Sequence, residues 1–431
     1  MLKKRALVIK KTEDIVSPVI YRYTDAVIES GQGSFLFDVD GNRYIDFAAG
    51  IATCAIGHSH PVVVEAINHQ AQKILHVCDH VAYYEPYVDY MEELKGTLPG
   101  ELKEGKGIFL NSGSEAVEGA LKLARFVTRR PYVLSFLWAF HGRTMGATAV
   151  TGSTVTYRKN LSGLFPGVFQ VPYPYCFRCP LGHQCSPGGN MPCLNYIHIT
   201  LEKIVDPTDL AAILFEPLIG EGGYIVPPPE FMKGLREICN RTGAFLVADE
   251  VQTGFGRTGK WLASEHFEVV PDIVAMAKAI GGGLPLSAVF GRREIMDKWE
   301  PATHGTTFGG NPVSCAAGRA TLRVMKNENV LQNAEEVGSF IQQKLKNAAK
   351  TLKSIGDVRG KGLMIGVELV QPDHSPANEL TSRVVASAVQ NGLIITKCGP
   401  NVIRISPALN IQRAQAESGV DLLLKSIRPL S

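Results

Sequence analysis

The sequence has almost no charge of one sign in excess. Lysine and arginine number 44 and aspartate and glutamate 41, leaving a formal +3. A nucleic-acid surface needs a basic surplus, so that class of partner is not expected. No apolar run approaches the roughly 18 residues of a membrane helix, so a membrane is not expected either. The opening MLKKRALVIKKTEDIV is basic but lacks the apolar core of a signal peptide, and Glu13 and Asp14 argue against a transit peptide. A cytoplasmic protein is the expectation. The short N-terminal segment leaves no room for the DNA-binding module of a cofactor-sensing regulator. Internal repeats and low-complexity stretches are missing. The nine cysteines, an odd number, do not read as a secreted disulfide scaffold. What remains is an ordinary globular composition, 45% hydrophobic and 20% charged, in 431 residues. That length allows one large core and a smaller domain.

The most informative stretch is 271–286, PDIVAMAKAIGGGLPL. An apolar run stops on Lys278, and glycines 281–283 follow. A lysine at the edge of a core is costly unless the site uses it. A desolvated amine forms a Schiff base with an aldehyde, and small neighbours leave room for a ring. Taken alone, the stretch equally suits a surface lysine with its stem on the core edge.

From residue 107 short apolar runs alternate with helical patterns, the mark of a mostly parallel sheet. GIFL (107–110) leads into Asn111, Ser112, Gly113, Ser114 and a helix EAVEGALKLARFV. Ser114, Glu115 and Glu118 suit the helix start, whose free amides form a phosphate cradle or an ordinary cap. YVLSFL (132–137) precedes Phe140, His141 and Arg143; AAILF (211–215) ends on Glu216, with Glu221 beyond; AFLVA (244–248) ends on Asp249, with Gln252 beyond. IVAMA ends on Lys278. In an open α/β sheet such strand ends share one crevice, where ligands bind. Earlier, SFLFDVDGNRYIDF (34–47) reads as a hairpin about Asp40-Gly41, and PVVVEAINHQAQKILHV (61–77) as a helix. GFGRTGK (254–260) imitates phosphate-loop patterns. Polar residues separate it from its strand and Trp261 stands where Ser or Thr is needed, so it reads as a turn before a helix WLASEHF. His58, His60, His76 and His80 lack a matching ligand set for a metal. Cys176, Cys179, Cys185 and Cys193, with His183 among them, have a C-x-x-C start that could bind zinc, but the later spacing is too wide for a standard ribbon, and no metal is assigned.

In order, NSGSEAVEGALKLAR, FHGRT, EPLIGEGG, ADEVQTGFGRTGK, AKAIGGGLPL, TTFGGNP and GDVRGKGLMIGVEL resemble the class III aminotransferases of the ornithine and 4-aminobutyrate type. The likeness covers nearly the whole chain. It implies an α/β, fold-type I enzyme dependent on pyridoxal 5'-phosphate, with a mostly parallel seven-stranded-type sheet in a large domain and a small α+β domain. Residues 1–56 would contribute to the small domain, 57–322 form the large domain, and 323–431 the C-terminal small domain. The resemblance further implies that Lys278 holds the cofactor and shuttles the proton, and that Asp249 pairs with the ring nitrogen. Ser112, Gly113 and Ser114 would cradle the phosphate, completed by Thr307 from a neighbouring subunit. Phe140, where relatives often have tyrosine, would stack on the ring; Gln252 and His141 would touch it. Arg404 would take an α-carboxylate and Arg143 a distal one. Glu221 would pair with Arg404 when no α-carboxylate is present, and Glu216 and Ile51 would line the pocket.

The implied reaction moves an amino group from an ω-amino acid, 4-aminobutyrate-like, to 2-oxoglutarate, giving a semialdehyde and glutamate. The implied assembly is a homodimer or dimer of dimers, and the partners are a small-molecule amino donor and a 2-oxo acid. An amino-acid racemase or epimerase of the same family, or an ornithine/acetylornithine-type aminotransferase, is the alternative. The retained Arg143 and TTFGGNP loop favour transamination over racemisation.

Overall fold

The structure is a computed structural model and describes residues 4–161, 163, 166–182 and 191–430. A helix, Lys4–Ile15, opens the chain with none of its residues buried. An antiparallel meander follows: β1 (Ile28–Gln32), β2 (Phe35–Asp38) and β3 (Arg43–Asp46). The turn between β2 and β3 is the expected Asp40-Gly41. Gly41 takes a φ of +84°, and Asp38 accepts the amides of Asp40 at 3.0 Å and Asn42 at 2.8 Å.

The central sheet contains β4 (Lys106–Leu110), β5 (Tyr132–Phe136), β6 (Val168–Val171), β7 (Leu210–Phe215), β8 (Phe245–Asp249), β9 (Ile273–Met276) and β10 (Ser287–Gly291). Their order is β4-β10-β9-β8-β7-β5-β6, a 7-stranded sheet in which only β10 runs against its neighbours. Because β10 opposes both β4 and β9, β4 points the same way as the parallel strands. The carboxyl ends of β4, β5, β7, β8 and β9 therefore share one edge. Alternate residues of these strands enter two cores. Phe136, Ile213, Leu246, Val274 and Phe290 pack on one face. Val133, Leu214, Val247, Ile273 and Val289 pack on the other, against Val117 and Leu121 of the Gly113–Thr128 helix. A sheet covered on both faces needs no polar alternation, which is why these strands read as unbroken apolar runs.

The helix after residue 60 ends at Lys73, short of the expected 77, because Ile74 is already extended. WLASEHF is not an α-helix. Only Ala263–Phe267 turns, as a 3₁₀ segment, and the buried Glu250 carboxylate holds it by accepting the amides of Ala263 (3.0 Å) and Ser264 (2.9 Å). The GFGRTGK turn is no phosphate site. Its Arg257 is buried and donates to the carbonyls of Leu363 (3.1 Å) and Pro407 (2.6 Å).

Beyond the helices Pro312–Asn327 and Val330–Ala349 lie β11 (Ile355–Lys361), β12 (Met364–Leu369), β13 (Leu393–Ile394), β14 (Thr396–Cys398) and β15 (Val402–Ile405). Strands β11, β12, β15 and β14 form a second sheet, in which Arg404 lies opposite Gly366 and Thr396. Strand β13 instead runs parallel to β3, joining the late chain to the N-terminal meander. Among the described residues no helix is long and apolar enough to cross a membrane.

Candidate active site

The shared edge of the central sheet opens on a cleft of about 410 Å³. At one end stands the N-terminus of the Gly113–Thr128 helix. Ser112, not Ser114, caps it: its hydroxyl accepts the Glu115 amide at 3.3 Å. The first amides of a helix have no partner within it, and the helix dipole turns positive there, so Gly113 and Ser114 face the cleft as anion donors. Ser114 Oγ accepts the Arg143 amide at 3.2 Å. Gly142 must be glycine, because it has a φ of +134° and any Cβ would fall 2.2 Å from that same oxygen.

Asp249, at the end of β8, is buried. One carboxylate oxygen meets His141 Nδ1 at 2.7 Å and the other accepts the Val251 amide at 3.0 Å. His141 thus acts on the cleft mainly through Asp249, and its Nε2 has no partner among the described residues. Gln252 Oε1 is likewise buried and unpartnered. Lys278 follows β9 in a left-handed conformation, with φ of +52°. Burial lowers its pKa to about 8, against the opposing pull of Asp249 and Glu216. Glu216 also lines the cleft. Burial, then the Asp249 charge, push its pKa well above the carboxylate range, and its oxygens accept the amides of Phe140 and Gly220, each at 2.8 Å.

These residues fit pyridoxal phosphate at each end. The helix amides suit a phosphate, Asp249 a protonated ring nitrogen, Gln252 Oε1 a ring donor, and Lys278 the aldehyde.

Arg404 is 3% exposed. Its guanidinium donates to Thr396 Oγ1 and to the Lys397 carbonyl, both at 3.1 Å. Burial opposes its charge, but Tyr224, Cys398, Tyr23 and Glu221 outweigh that and raise its pKa. Arg143 is exposed beside Phe140, its guanidinium carbon 4.3 Å above the Tyr157 ring. Among the described residues neither arginine has a carboxylate within 4.0 Å. The expected Glu221–Arg404 pair is therefore not made. Glu221 Oε1 instead accepts the Tyr157 hydroxyl at 2.9 Å, and burial, reinforced by Glu221, pushes that phenol up to about 12.

Four expected residues do not line the cleft of a single chain: Arg143 and Arg404, and also Ile51 and Thr307. Ile51 is 44% exposed and holds a φ of +62°, unusual for a β-branched residue, while nearby Thr53 lines the cleft. Thr307 is exposed; its neighbour Thr306 accepts from Asn111 Nδ2 at 2.9 Å. Of the cysteine set, Cys176 and Cys179 are half-buried and Cys193 is buried at a helix start, while Cys185 and His183 lie outside the described residues. Among the described residues no His, Cys, Asp or Glu group is arranged to hold a metal. Sequence reasoning missed Tyr157, Thr53 and Val251. Tyr157 sits in a four-residue 3₁₀ turn, Val155–Arg158, too short to show a period.

A family model for class-III aminotransferases matches residues 17–427. The chain is a class-III aminotransferase. It is thus a pyridoxal-phosphate-dependent transferase, acting on a small-molecule amino donor and a keto acid. Relatives of this aminotransferase include the 5-aminovalerate aminotransferase DavT of Pseudomonas aeruginosa, 40% identical over 100% of this chain and 98% of that one. The 4-aminobutyrate aminotransferase GabT of Escherichia coli is 42% identical over 90% of each. The alanine/serine racemase of Pyrococcus horikoshii is 41% identical over 93% of this chain and 85% of its own length. A solved amine transaminase from an uncultivated Pseudomonas species, in its pyridoxal-phosphate-bound form, superimposes with a TM-score of 0.90 at 31% identity, covering 97% and 98% of the two chains.

Proposed function

We propose that this aminotransferase moves the amino group of an ω-amino acid, of the 4-aminobutyrate or 5-aminovalerate kind, to 2-oxoglutarate, giving a semialdehyde and glutamate. The observation that carries the reading is a pair of guanidiniums without carboxylate partners among the described residues: Arg143, which follows the cleft-lining Gly142, and Arg404, whose charge reaches Lys278. 2-Oxoglutarate carries a carboxylate at each end and suits two such anchors. An ω-amino acid carries one carboxylate, far from its amine, and needs the distal anchor alone. The names of the 5-aminovalerate and 4-aminobutyrate relatives support the same class of donor.

Pyridoxal phosphate supplies the electron sink that makes the substrate carbon acidic. In this reading Lys278 Nζ takes and returns that proton, and Asp249, steadied by His141, keeps the ring nitrogen protonated. Ser112, Gly113 and Ser114 would bind the phosphate, Phe140 would cover the ring and Gln252 Oε1 would accept from its hydroxyl. Glu216 fixes Phe140 and the 217–220 turn. Thr307 of a second copy completes the phosphate site, and Ile51 lines a neighbouring one. Exposed apolar residues near Thr307 support a dimer: Phe308 is 60% exposed and rests 4.9 Å from the His76 ring, beside Leu75 at 65%.

Racemisation is the second reading, favoured by an identity to the racemase as high as to the transaminases. It requires an α-carboxylate anchor and leaves Arg143 idle. A panel of ω- and α-amino acids, assayed together for glutamate formed from 2-oxoglutarate and for loss of optical rotation, separates the readings. Glutamate from 4-aminobutyrate or 5-aminovalerate is the expected result. Rapid racemisation of alanine or serine with no ω-amine turnover would refute it.

A further inference from the structure

Two charged groups of the candidate site, Glu221 and Arg143, meet on one ring. Tyr157 donates its hydroxyl to Glu221 Oε1 at 2.9 Å, carries the Arg143 guanidinium at 4.3 Å on its face, and meets Phe140 edge-on at 5.4 Å. Arg404 stands nearby, buried, with its donors on Thr396 and Lys397 and no carboxylate within 4.0 Å among the described residues. A buried arginine beside an unengaged carboxylate would normally draw it in. Glu221 stays away because another donor holds it.

We propose that Tyr157 is a positioning residue that gives Glu221 a second seat, keeping Arg404 free for an α-carboxylate, while its ring face sets the distal anchor Arg143. The inference rests on the proposed roles of the two arginines. With Glu221 on Tyr157, the site accepts a dicarboxylate. With Glu221 on Arg404, the site suits a monocarboxylate ω-amine. The hydroxyl of Tyr157 sets the balance between these arrangements. No covalent step is involved; one hydrogen bond to a carboxylate is exchanged for an ion pair.

Tyr157→Phe keeps the ring and removes only the hydroxyl. Hydrogen bonds to charged groups are worth enough that Glu221 should settle on Arg404, weakening dicarboxylates about tenfold. The probe is glutarate, which binds without reacting, titrated calorimetrically into the holoenzyme. Its Kd should rise about tenfold in Tyr157→Phe, while the single-turnover rate of the 5-aminovalerate half-reaction should not fall. In a Glu221→Gln background the same change should leave glutarate binding unaltered, since no carboxylate remains to compete for Arg404. Tyr157→Leu, which removes the ring as well, should weaken glutarate and 5-aminovalerate alike. Equal loss for both ligands in Tyr157→Phe, unchanged glutarate binding there, or a full loss persisting in the Glu221→Gln background would each overturn the proposal. Glutarate binding tests Tyr157 even if 5-aminovalerate proves not to be a donor, so that failure stays separate from this one.

Discussion

Glu368 ties together three separate parts of the chain, and its removal is the sharpest test of how the Glu221 turn is held. Its carboxylate is fully buried on β12. It accepts Arg359 Nη1 at 2.7 Å and Asn401 Nδ2 at 3.3 Å, and also bonds the Tyr175 hydroxyl and Arg178 Nε. Arg359 in turn donates to the Gly223 carbonyl at 2.6 Å, just beyond Glu221. Tyr175 and Arg178 lie on either side of Cys176, so residues 175–178 are docked onto β12 by this acid. Glu368→Gln keeps the shape but leaves the arginines without their buried countercharge. Breaking a buried ion pair costs ~3–5 kcal/mol, and the isosteric change belongs at the lower end. At about 2.1 cal/mol/K per residue, 431 residues melting as one unit would lose about 3 °C of Tm. The control Asp357→Asn, at the partly exposed side of Arg359, should cost ~1 kcal/mol or less. Burial pushes the Glu368 pKa up, but Arg359, Tyr175 and Arg178 pull harder and leave it lowered. Its contribution is thus present above its ordinary value of about 4.5 and lost as pH falls through the folded-state value. Scanning fluorimetry of the holoenzyme at pH 7 and at stepwise lower pH reads both effects, and the gap to wild type should close on the acid side. A variant melting within about 1 °C of wild type at pH 7, with normal turnover, would refute the network's role.

Borohydride reduction of the holoenzyme followed by peptide mapping should mark Lys278, and Lys278→Ala should lose turnover; a label on another lysine would sink its assignment. Because an amine must be neutral to attack an aldehyde, cofactor reconstitution of apoenzyme should speed up as pH rises towards about 8, the lowered pKa of Lys278, and flatten above it; a rate still climbing at pH 10 would contradict that pKa. Mixing Lys278→Ala chains with Thr307→Val chains should restore part of the activity through hybrid dimers, whereas no restoration would place both residues in the same subunit's site.

What the sequence disclosed follows from burial. Strands covered on both faces are apolar to their last residue, so Asp249, Glu216 and Lys278 stand out where the sheet meets the cleft. Strand β10 was not legible, because SAVFG is short, wholly buried and runs against its neighbours without any local sign of direction. Nor were the partners of Glu221 and Glu368. Tyr157, Tyr175 and Arg178 lie in or next to short 3₁₀ turns too brief to show a period, and only folding brings them to the carboxylates they hold. The resemblance implies Arg404 as the neighbour of Glu221, whereas the structure has the Tyr157 hydroxyl there.

Single-turnover rates of the separate half-reactions test the central claim most directly, that two arginines sort the two substrates. Holoenzyme is mixed with 5-aminovalerate for one half and, in its aminated form, with 2-oxoglutarate for the other, in wild type, Arg143→Gln and Arg404→Gln. Losing a charge-assisted anchor worth ~1.5–3 kcal/mol should slow the affected half about ten- to a hundredfold at low substrate. Arg143→Gln is expected to slow both halves, and Arg404→Gln the 2-oxoglutarate half alone. Equal slowing of both halves by Arg404→Gln, or neither slowed by Arg143→Gln, would contradict the account.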